Sequence, residues 1–246
     1  MTASATLNTV GTCLDVVRGP YSEYAAPPIY VYPSSPKPGI RFSRSELIQL
    51  LIAILALSAS FTILYVRQSP VAYVRNPGLL ALAFSASLLA VGTGVGLHEV
   101  MHKVVAQRYG HWAEFRYDPR GLLMAFIFAA AIGLLYGAPG ATWISGAVTR
   151  EQNGRISAAG PVTNIAIALG LILTLLALPK GSSFGGLLQT IYLFGAAQVN
   201  AFLAAFNLLP IMPLDGAKVL AWNKPVYGGL MIIAVGLVAV TFLGIL

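Results

Sequence analysis

The stretch GLLALAFSASLLAVGTGVGLHEVMH, residues 78–102, joins a long apolar run to three ionisable side chains. Leu79 to Leu97 contains no charged residue and is long enough to cross a bilayer as an α-helix. His98 and His102 follow four residues apart, so both imidazoles lie on one face of that helix. Ionisable groups are costly in a membrane helix, and their presence there indicates a functional site.

The rest of the chain is also rich in apolar residues. Of its 246 residues, 57% are hydrophobic and 9% are charged, whereas soluble domains carry about 25% charged residues. Stretches long enough to span a bilayer lie near 46–66, 78–106, 157–178, 186–209 and 226–246. The composition therefore predicts an all-α, multi-pass integral membrane protein with about five transmembrane helices, embedded in the lipid bilayer.

The positive charge of the chain follows its membrane segments. The net charge is +7, but the Lys and Arg residues sit at the ends of apolar runs and form no basic stripe. This distribution favours the positive-inside pattern of membrane proteins over a nucleic-acid surface, and no nucleic-acid partner is expected. The single cysteine, Cys13, excludes an internal disulfide framework.

The first 42 residues differ from the remainder because they are polar and rich in proline. Proline at this density opposes helix formation and favours extended chain. We expect residues 1–42 to form a flexible cytoplasmic tail and residues 43–246 to form the transmembrane domain.

A sixth apolar stretch, 121–138, is short and is closed by Pro139 and Gly140. If this stretch does not cross, one face of the membrane carries twelve of the fifteen Lys and Arg residues. The other face then carries three, Arg67, Arg75 and Lys180. The richer face is expected to be cytoplasmic, and a sixth crossing would erode this bias. We therefore expect 121–138 to be re-entrant or interfacial, with the amino terminus in the cytoplasm.

The pentad His98-Glu-Val-Met-His102 has the spacing of a zinc site on a helix. Two imidazoles four residues apart can occupy two corners of a zinc tetrahedron, and Glu99 beside them can accept a proton from water. A catalytic zinc needs a third protein ligand. The acidic residues after the pentad are Glu114, Asp118 and Glu151 in the connecting region, and Asp215.

Asp215 lies in NLLPIMPLDG, residues 207–216, at the end of an almost uncharged run. The two prolines break the helix and place a carboxylate at the edge of the membrane, which is typical of a functional site. The alternative is that Asp215 caps the following helix. If 121–138 does not cross, the ends of the second and fourth spans reach the same face, so that Asp215 can approach both histidines.

Three motifs of the chain resemble the site-2 protease family of intramembrane zinc metalloproteases. In chain order they are HEVMH, Ala159-Gly-Pro-Val-Thr-Asn164 and the N-x-x-P-x-x-P-L-D-G segment. This is the order of that family, and the motifs lie within roughly residues 78–220. The resemblance implies one zinc ion per chain, held by His98, His102 and Asp215. It also implies Glu99 as the catalytic base and Asn207 as a catalytic, substrate-binding residue, with Asn164 as a packing or polar-anchor residue.

The resemblance implies a protease that hydrolyses peptide bonds in or near transmembrane segments of membrane-protein substrates. Its active site would lie nearer the cytoplasmic face. A different class of function, a non-catalytic membrane metal-binding protein or a transporter, could use the same His and Asp cluster. Transport would be favoured by ionisable groups along the spans, whereas here these groups cluster in one place.

A helical substrate hides its carbonyl groups, so a strand edge that holds an unwound segment would help cleavage. Candidate strands between the second and third spans are Glu114 to Tyr117 and the 141–156 region, with Asn153-Gly154 as a tight turn. These segments predict a small β-hairpin or re-entrant element. Lys103, next to His102, is expected to extend its amine to the near membrane face.

Overall fold

The computed structural model describes residues 39–179 and 184–243 as helices around one two-stranded sheet. In chain order the elements are α1 Arg44–Gln68, α2 Pro70–Arg75, α3 Gly78–Val91, α4 Leu97–Arg108, β1 Trp112–Tyr117, α5 Pro119–Ala131, β2 Gly140–Ser145, α6 Arg150–Ala177, α7 Phe184–Leu188, α8 Gly195–Asn207, α9 Asp215–Trp222 and α10 Lys224–Phe242. Two π-helical turns, Gly92–Gly96 and Gln189–Phe194, join α3 to α4 and α7 to α8. The predicted tail lies outside the described residues up to position 38.

Four helices of the described chain are long and apolar enough to cross a membrane. They are α1, the continuous helix Gly78–Arg108, α6 and α10. The predicted span 186–209 corresponds to α7, the second π-helical turn and α8, which follow one another directly. The prediction of a polytopic helical membrane protein is confirmed.

The sheet consists of β1 and β2 in antiparallel pairing. Its register runs from Trp112 opposite Ser145 to Tyr117 opposite Gly140. The predicted strand at Glu114 to Tyr117 is confirmed, but the second strand ends at Ser145 and does not continue to 156. The small β element between the second and third spans is thus confirmed, with a long excursion between its strands.

That excursion, 118–139, leaves one strand and returns to its partner, so that both of its ends lie at the sheet. Near the beginning of α1, the Tyr117 N–H donates to Gln49 Oε1 at 3.2 Å. Near the end of α1, the Arg67 guanidinium donates to the Ala130 carbonyl at the end of α5. The segment therefore follows α1 over most of its length, turns at Gly133 (φ 82°) and comes back.

The returning chain lies directly against α5. A Cβ atom at Gly137 would lie 2.2 Å from the Gly121 carbonyl oxygen, and one at Gly121 would lie 1.9 Å from the Ala138 carbonyl oxygen. Two glycines facing each other at this distance leave no room for side chains. The excursion is therefore one compact unit, which holds β2 beside β1.

The predicted turn at Asn153-Gly154 is wrong, because both residues lie in the first turns of α6. The helix begins earlier through a capping box, in which Thr149 accepts from the Gln152 N–H and the Gln152 side chain accepts from the Thr149 N–H. Gly154 is instead a contact residue. A Cβ atom there would lie 2.3 Å from Cβ of Trp222, so this glycine lets α9 pack closely on α6.

The expectation that Lys103 reaches the membrane face is also wrong. Its amine is buried against the Glu46 carboxylate of α1 and lies 4.0 Å from the centre of the Phe42 ring. The other Glu46 oxygen accepts the Phe115 N–H of β1 at 3.0 Å. A carboxylate with two partners offsets the cost of burying the amine, and the pair joins α4, α1 and the sheet.

Candidate metal centre

His98 and His102 lie one turn apart on α4 and point to the same place. Their Nε2 atoms are 3.0 Å apart, and the residues are 4% and 7% exposed. Both nitrogen atoms are shielded from solvent and face the same point, where they can bind one shared partner.

The orientation of each ring is set by a hydrogen bond at its other nitrogen. The Nδ1 atom of His102 lies 2.7 Å from the Ile156 carbonyl oxygen, which can only accept, so Nδ1 carries the proton. The Nδ1 atom of His98 lies 2.8 Å from Asn164 Oδ1. Because the Asn164 amide nitrogen donates to the Gly94 carbonyl at 2.9 Å, its oxygen must be the atom that faces His98. Both rings therefore present an unprotonated Nε2 to the centre, as metal-binding histidines do.

Asp215 brings a carboxylate to the same point from the first turn of α9. Its Oδ2 atom lies 3.3 Å from Nε2 of His98 and 3.1 Å from Nε2 of His102. The alternative that Asp215 caps a helix is wrong, since it is the first residue of α9, after Leu214 at the cap position.

Gly216 explains how α9 comes close enough. A Cβ atom at this position would lie 2.0 Å from the Leu208 carbonyl oxygen. The chain between Asn207 and Asp215 folds back on the start of α9, and only glycine fits at that contact. The proline-containing segment therefore ends α8 and immediately turns the carboxylate towards α4.

The three donor atoms have the spacing that a tetrahedral zinc site requires. Zinc bonds to histidine nitrogen and carboxylate oxygen are about 2.0–2.2 Å long, so donor atoms at tetrahedral corners lie roughly 3.3–3.5 Å apart. The observed separations of 3.0, 3.1 and 3.3 Å are close to one face of such a tetrahedron. The chain thus fits a three-ligand site with a fourth position open.

Gly160 of α6 keeps the space beside these donors free. A Cβ atom there would lie 2.5 Å from Nε2 of His98 and 2.5 Å from Nε2 of His102. In the Ala159-to-Asn164 motif, Gly160 therefore leaves room beside the two histidines, while Asn164 orients the ring of His98. Asn164 acts as the expected polar anchor through its hydrogen bonds to His98 and to the Gly94 carbonyl.

Glu99 completes the cluster, because one of its carboxylate oxygens lies within 4.8 Å of the histidine donor atoms. Its Oε2 atom accepts the Thr142 N–H at 2.9 Å and lies 2.9 Å from the Thr142 hydroxyl. Thr142 belongs to β2 and was not among the residues predicted from the sequence. A threonine in a strand carries no signal that marks it for this position.

Asn207 is the last residue of α8 and lies eight residues before Asp215, at the start of the proline-containing segment. Its amide nitrogen donates to the Leu203 carbonyl of its own helix at 3.0 Å. The predicted contact of Asn207 with substrate therefore stays a prediction.

The two glutamates considered as alternative ligands lie in ion pairs instead. Glu114 pairs with Arg116 at 2.5 Å, and the exposed Glu151 pairs with Arg155 at 2.6 Å. Asp215, and neither glutamate, is the carboxylate in contact with both imidazoles.

Comparison with known proteins agrees with this chemistry. A protein of Methanocaldococcus jannaschii named as a putative zinc metalloprotease is 42% identical over 184 residues, which cover 74% of this chain and 87% of that protein. No model of a known protein family matches the chain. No solved structure matches it.

Proposed function

The chain belongs to the family of zinc metalloproteases represented by this Methanocaldococcus relative, and we propose that it is an intramembrane protease of the site-2 type. Its substrates would be membrane proteins, cleaved at peptide bonds within or beside a transmembrane helix. The observation that carries the proposal is the donor cluster of His98, His102 and Asp215 at the end of a membrane-length apolar helix. A hydrolytic metal site has little reason to be built there unless its substrate lies in the membrane.

We assign His98, His102 and Asp215 as the ligands of one zinc ion. The assignment rests on the near-tetrahedral spacing of the donor atoms and on the unprotonated Nε2 of each ring. Zinc bound there supplies a Lewis acid that lowers the pKa of water and polarises a peptide carbonyl.

Glu99 takes the role of general base. Its carboxylate lies close to both imidazoles. Within the described residues, its Oε1 atom forms no hydrogen bond. In the proposed reaction Glu99 accepts the proton of the attacking water and then delivers it to the leaving amine. Asn207, after a change of side-chain rotamer, would donate its amide to the oxygen that becomes negative.

A helical substrate must unwind before water can attack, and β2 offers an edge for the unwound segment. Along each strand of an antiparallel pair, the backbone N–H and C=O groups of successive residues point alternately towards the partner strand and away from it. Phe115 and Thr142 are paired in register, and both N–H groups bond outside the sheet, to Glu46 and Glu99. The outward edge of β2 therefore faces Glu99, and we propose that substrate adds to it as a third strand.

Cleavage of a defined membrane substrate tests this function. The purified protein would be reconstituted in lipid vesicles with a single-span test polypeptide that carries an Asn-Gly pair within its apolar segment, since both residues weaken a helix. We expect the wild type to cut it in or beside that segment. Glu99→Gln should retain zinc and lose cleavage by a factor of at least about 100, the lower end of general-base contributions.

The experiment includes one control variant, and two outcomes would contradict the proposal. Glu151→Gln removes a glutamate that is exposed and paired with Arg155, and it should cleave like the wild type. Cleavage by zinc-loaded Glu99→Gln at the wild-type rate would show that the mechanism is wrong. Cutting confined to water-exposed ends of the polypeptide would show that the enzyme is a protease of another kind.

A further inference from the structure

The helix that carries Glu99 does not by itself determine where its carboxylate lies. A glutamate has several rotatable bonds, and holding such a side chain in one conformation costs free energy. A general base, in contrast, must be placed within hydrogen-bond distance of the proton that it removes. Something outside α4 must therefore hold the carboxylate.

Thr142 of β2 supplies this contact through its backbone and its side chain. The Thr142 N–H donates to Glu99 Oε2 at 2.9 Å. The hydroxyl lies 2.9 Å from the same Oε2 and 3.0 Å from the Glu99 carbonyl oxygen, so its single hydrogen can serve either acceptor. Hydrogen bonds to a carboxylate are among the stronger ones in proteins.

We propose that Thr142 is a positioning residue that holds the base Glu99 by one oxygen and leaves the other oxygen directed at the reacting water. The proposal rests on the proposed function, in which Glu99 is the base. Both hydrogen bonds from Thr142 to the carboxylate fall on Oε2, and within the described residues Oε1 has no hydrogen-bond donor. One oxygen thus anchors the group while the other remains able to accept a proton.

The same contact ties the base to the strand edge that would receive substrate. Gly140, Thr142 and Ile144 share the outward side of β2, since strand residues two apart point the same way. Glu99 already occupies the N–H of Thr142. An extended substrate would therefore pair with Gly140 and Ile144, and the part of its backbone opposite Thr142 would face the carboxylate.

The side chain of Thr142 can be tested with two substitutions and a matched control. Thr142→Val keeps the shape and the backbone N–H but removes the hydroxyl, whereas Thr142→Ser keeps the hydroxyl. Thr174→Val removes a hydroxyl from an exposed position of α6, where it donates to the Gly170 carbonyl of its own helix at 2.8 Å. Each variant would be assayed on the same test polypeptide, with zinc content measured in parallel.

We expect Thr142→Val to lower kcat about tenfold, part of the general-base contribution, with KM within about twofold of the wild type. Thr142→Ser should recover most of the lost kcat, and Thr174→Val should behave as the wild type. All variants should keep their zinc. Wild-type kcat in Thr142→Val, or an equal loss in Thr142→Ser, would overturn the proposal.

A second measurement needs no substrate. Hydrogen exchange at the Thr142 amide should be faster in Glu99→Ala than in the wild type, because the acceptor is gone, and nearly unchanged in Glu99→Gln, whose side-chain oxygen can still accept. Unchanged exchange in Glu99→Ala would refute the contact itself. If instead the wild type fails to cut the test polypeptide while the exchange result holds, the proposed function fails and the contact stands.

Discussion

At the scale of single residues, Gly160 has the most direct influence on the metal centre. Its Cα lies so close to the histidines that any side chain would enter the space in front of both Nε2 atoms. His98 and His102 cannot move away easily, because Asn164 and the Ile156 carbonyl hold their other nitrogens. The free space is therefore a property of this one glycine.

We predict that Gly160→Ala purifies with far less than one zinc per chain. The added methyl group would lie 2.5 Å from both donor nitrogens and would displace at least one of them. Gly170→Ala is the matched control, since a Cβ atom at that position of α6 meets nothing within 4 Å. Metal analysis after purification measures the result, and a full zinc complement in Gly160→Ala would contradict it.

At the scale of elements, the buried pair of Lys103 and Glu46 holds α4, the helix of His98 and His102, against its neighbours. Lys103 directly follows His102 on α4, and Glu46 lies in the first turn of α1. Glu46 also accepts the Phe115 N–H, so that one carboxylate connects two helices and the sheet. Removing one partner of such a pair leaves the other charge buried without compensation.

We predict that Lys103→Met lowers the free energy of unfolding by about 3–5 kcal/mol, the usual cost of breaking a buried ion pair. The double variant with Glu46→Gln should recover most of this loss, because glutamine carries no charge and its oxygen can still accept the Phe115 N–H. Thermal unfolding in detergent compares the three proteins. A double variant no more stable than Lys103→Met would argue against the ion pair as the cause.

Sequence reasoning predicted the elements and the grouping of His98, His102 and Asp215 better than it predicted the residues that hold them in place. The membrane-length helices, the His98 and His102 pair and the position of Asp215 after a broken helix all follow from local patterns in the chain. The partners Thr142 for Glu99, Glu46 for Lys103 and Asn164 for His98 lie 43, 57 and 66 residues away from the residues they contact. Contacts at such separations depend on how elements pack, which no local pattern specifies.

The incorrect turn at Asn153-Gly154 has a related cause. Asn-Gly is a strong turn signal in isolation, but here the capping box of Thr149 and Gln152 begins a helix just before it. The glycine also lets α6 pack against Trp222. This contact with a helix some 70 residues later adds to the local capping signal, and the two together favour helix over turn at this dipeptide.

At the scale of the whole molecule, the arrangement of β1 and β2 bears on how the chain is threaded through the membrane. Because the two strands are paired, the residues before α5 and those after it must lie on the same side. The sequence further predicts that this side is cytoplasmic, from the bias of Lys and Arg towards one face. The loop near Arg75, at the other end of the long α3–α4 helix, is expected on the opposite side.

Thiol labelling in sealed vesicles tests this threading. In a Cys13→Ser background, single cysteines replace Trp112, Ser145 and Val74, all of which are exposed. A membrane-impermeant reagent should reach positions 112 and 145 from one side and position 74 only from the other. Labelling of 112 and 145 from opposite sides would mean that the 118–139 segment crosses the membrane.

Asp215 is the proposed third zinc ligand, and the zinc content of Asp215→Ala tests this assignment most directly. Asp118→Ala serves as control, because Asp118 caps α5 through the Arg120 N–H and takes no part in the cluster. Metal analysis should give one zinc per chain for the wild type, for Asp118→Ala and for Glu99→Gln, and far less than one for Asp215→Ala. A full equivalent of zinc in Asp215→Ala would contradict the proposed metal centre.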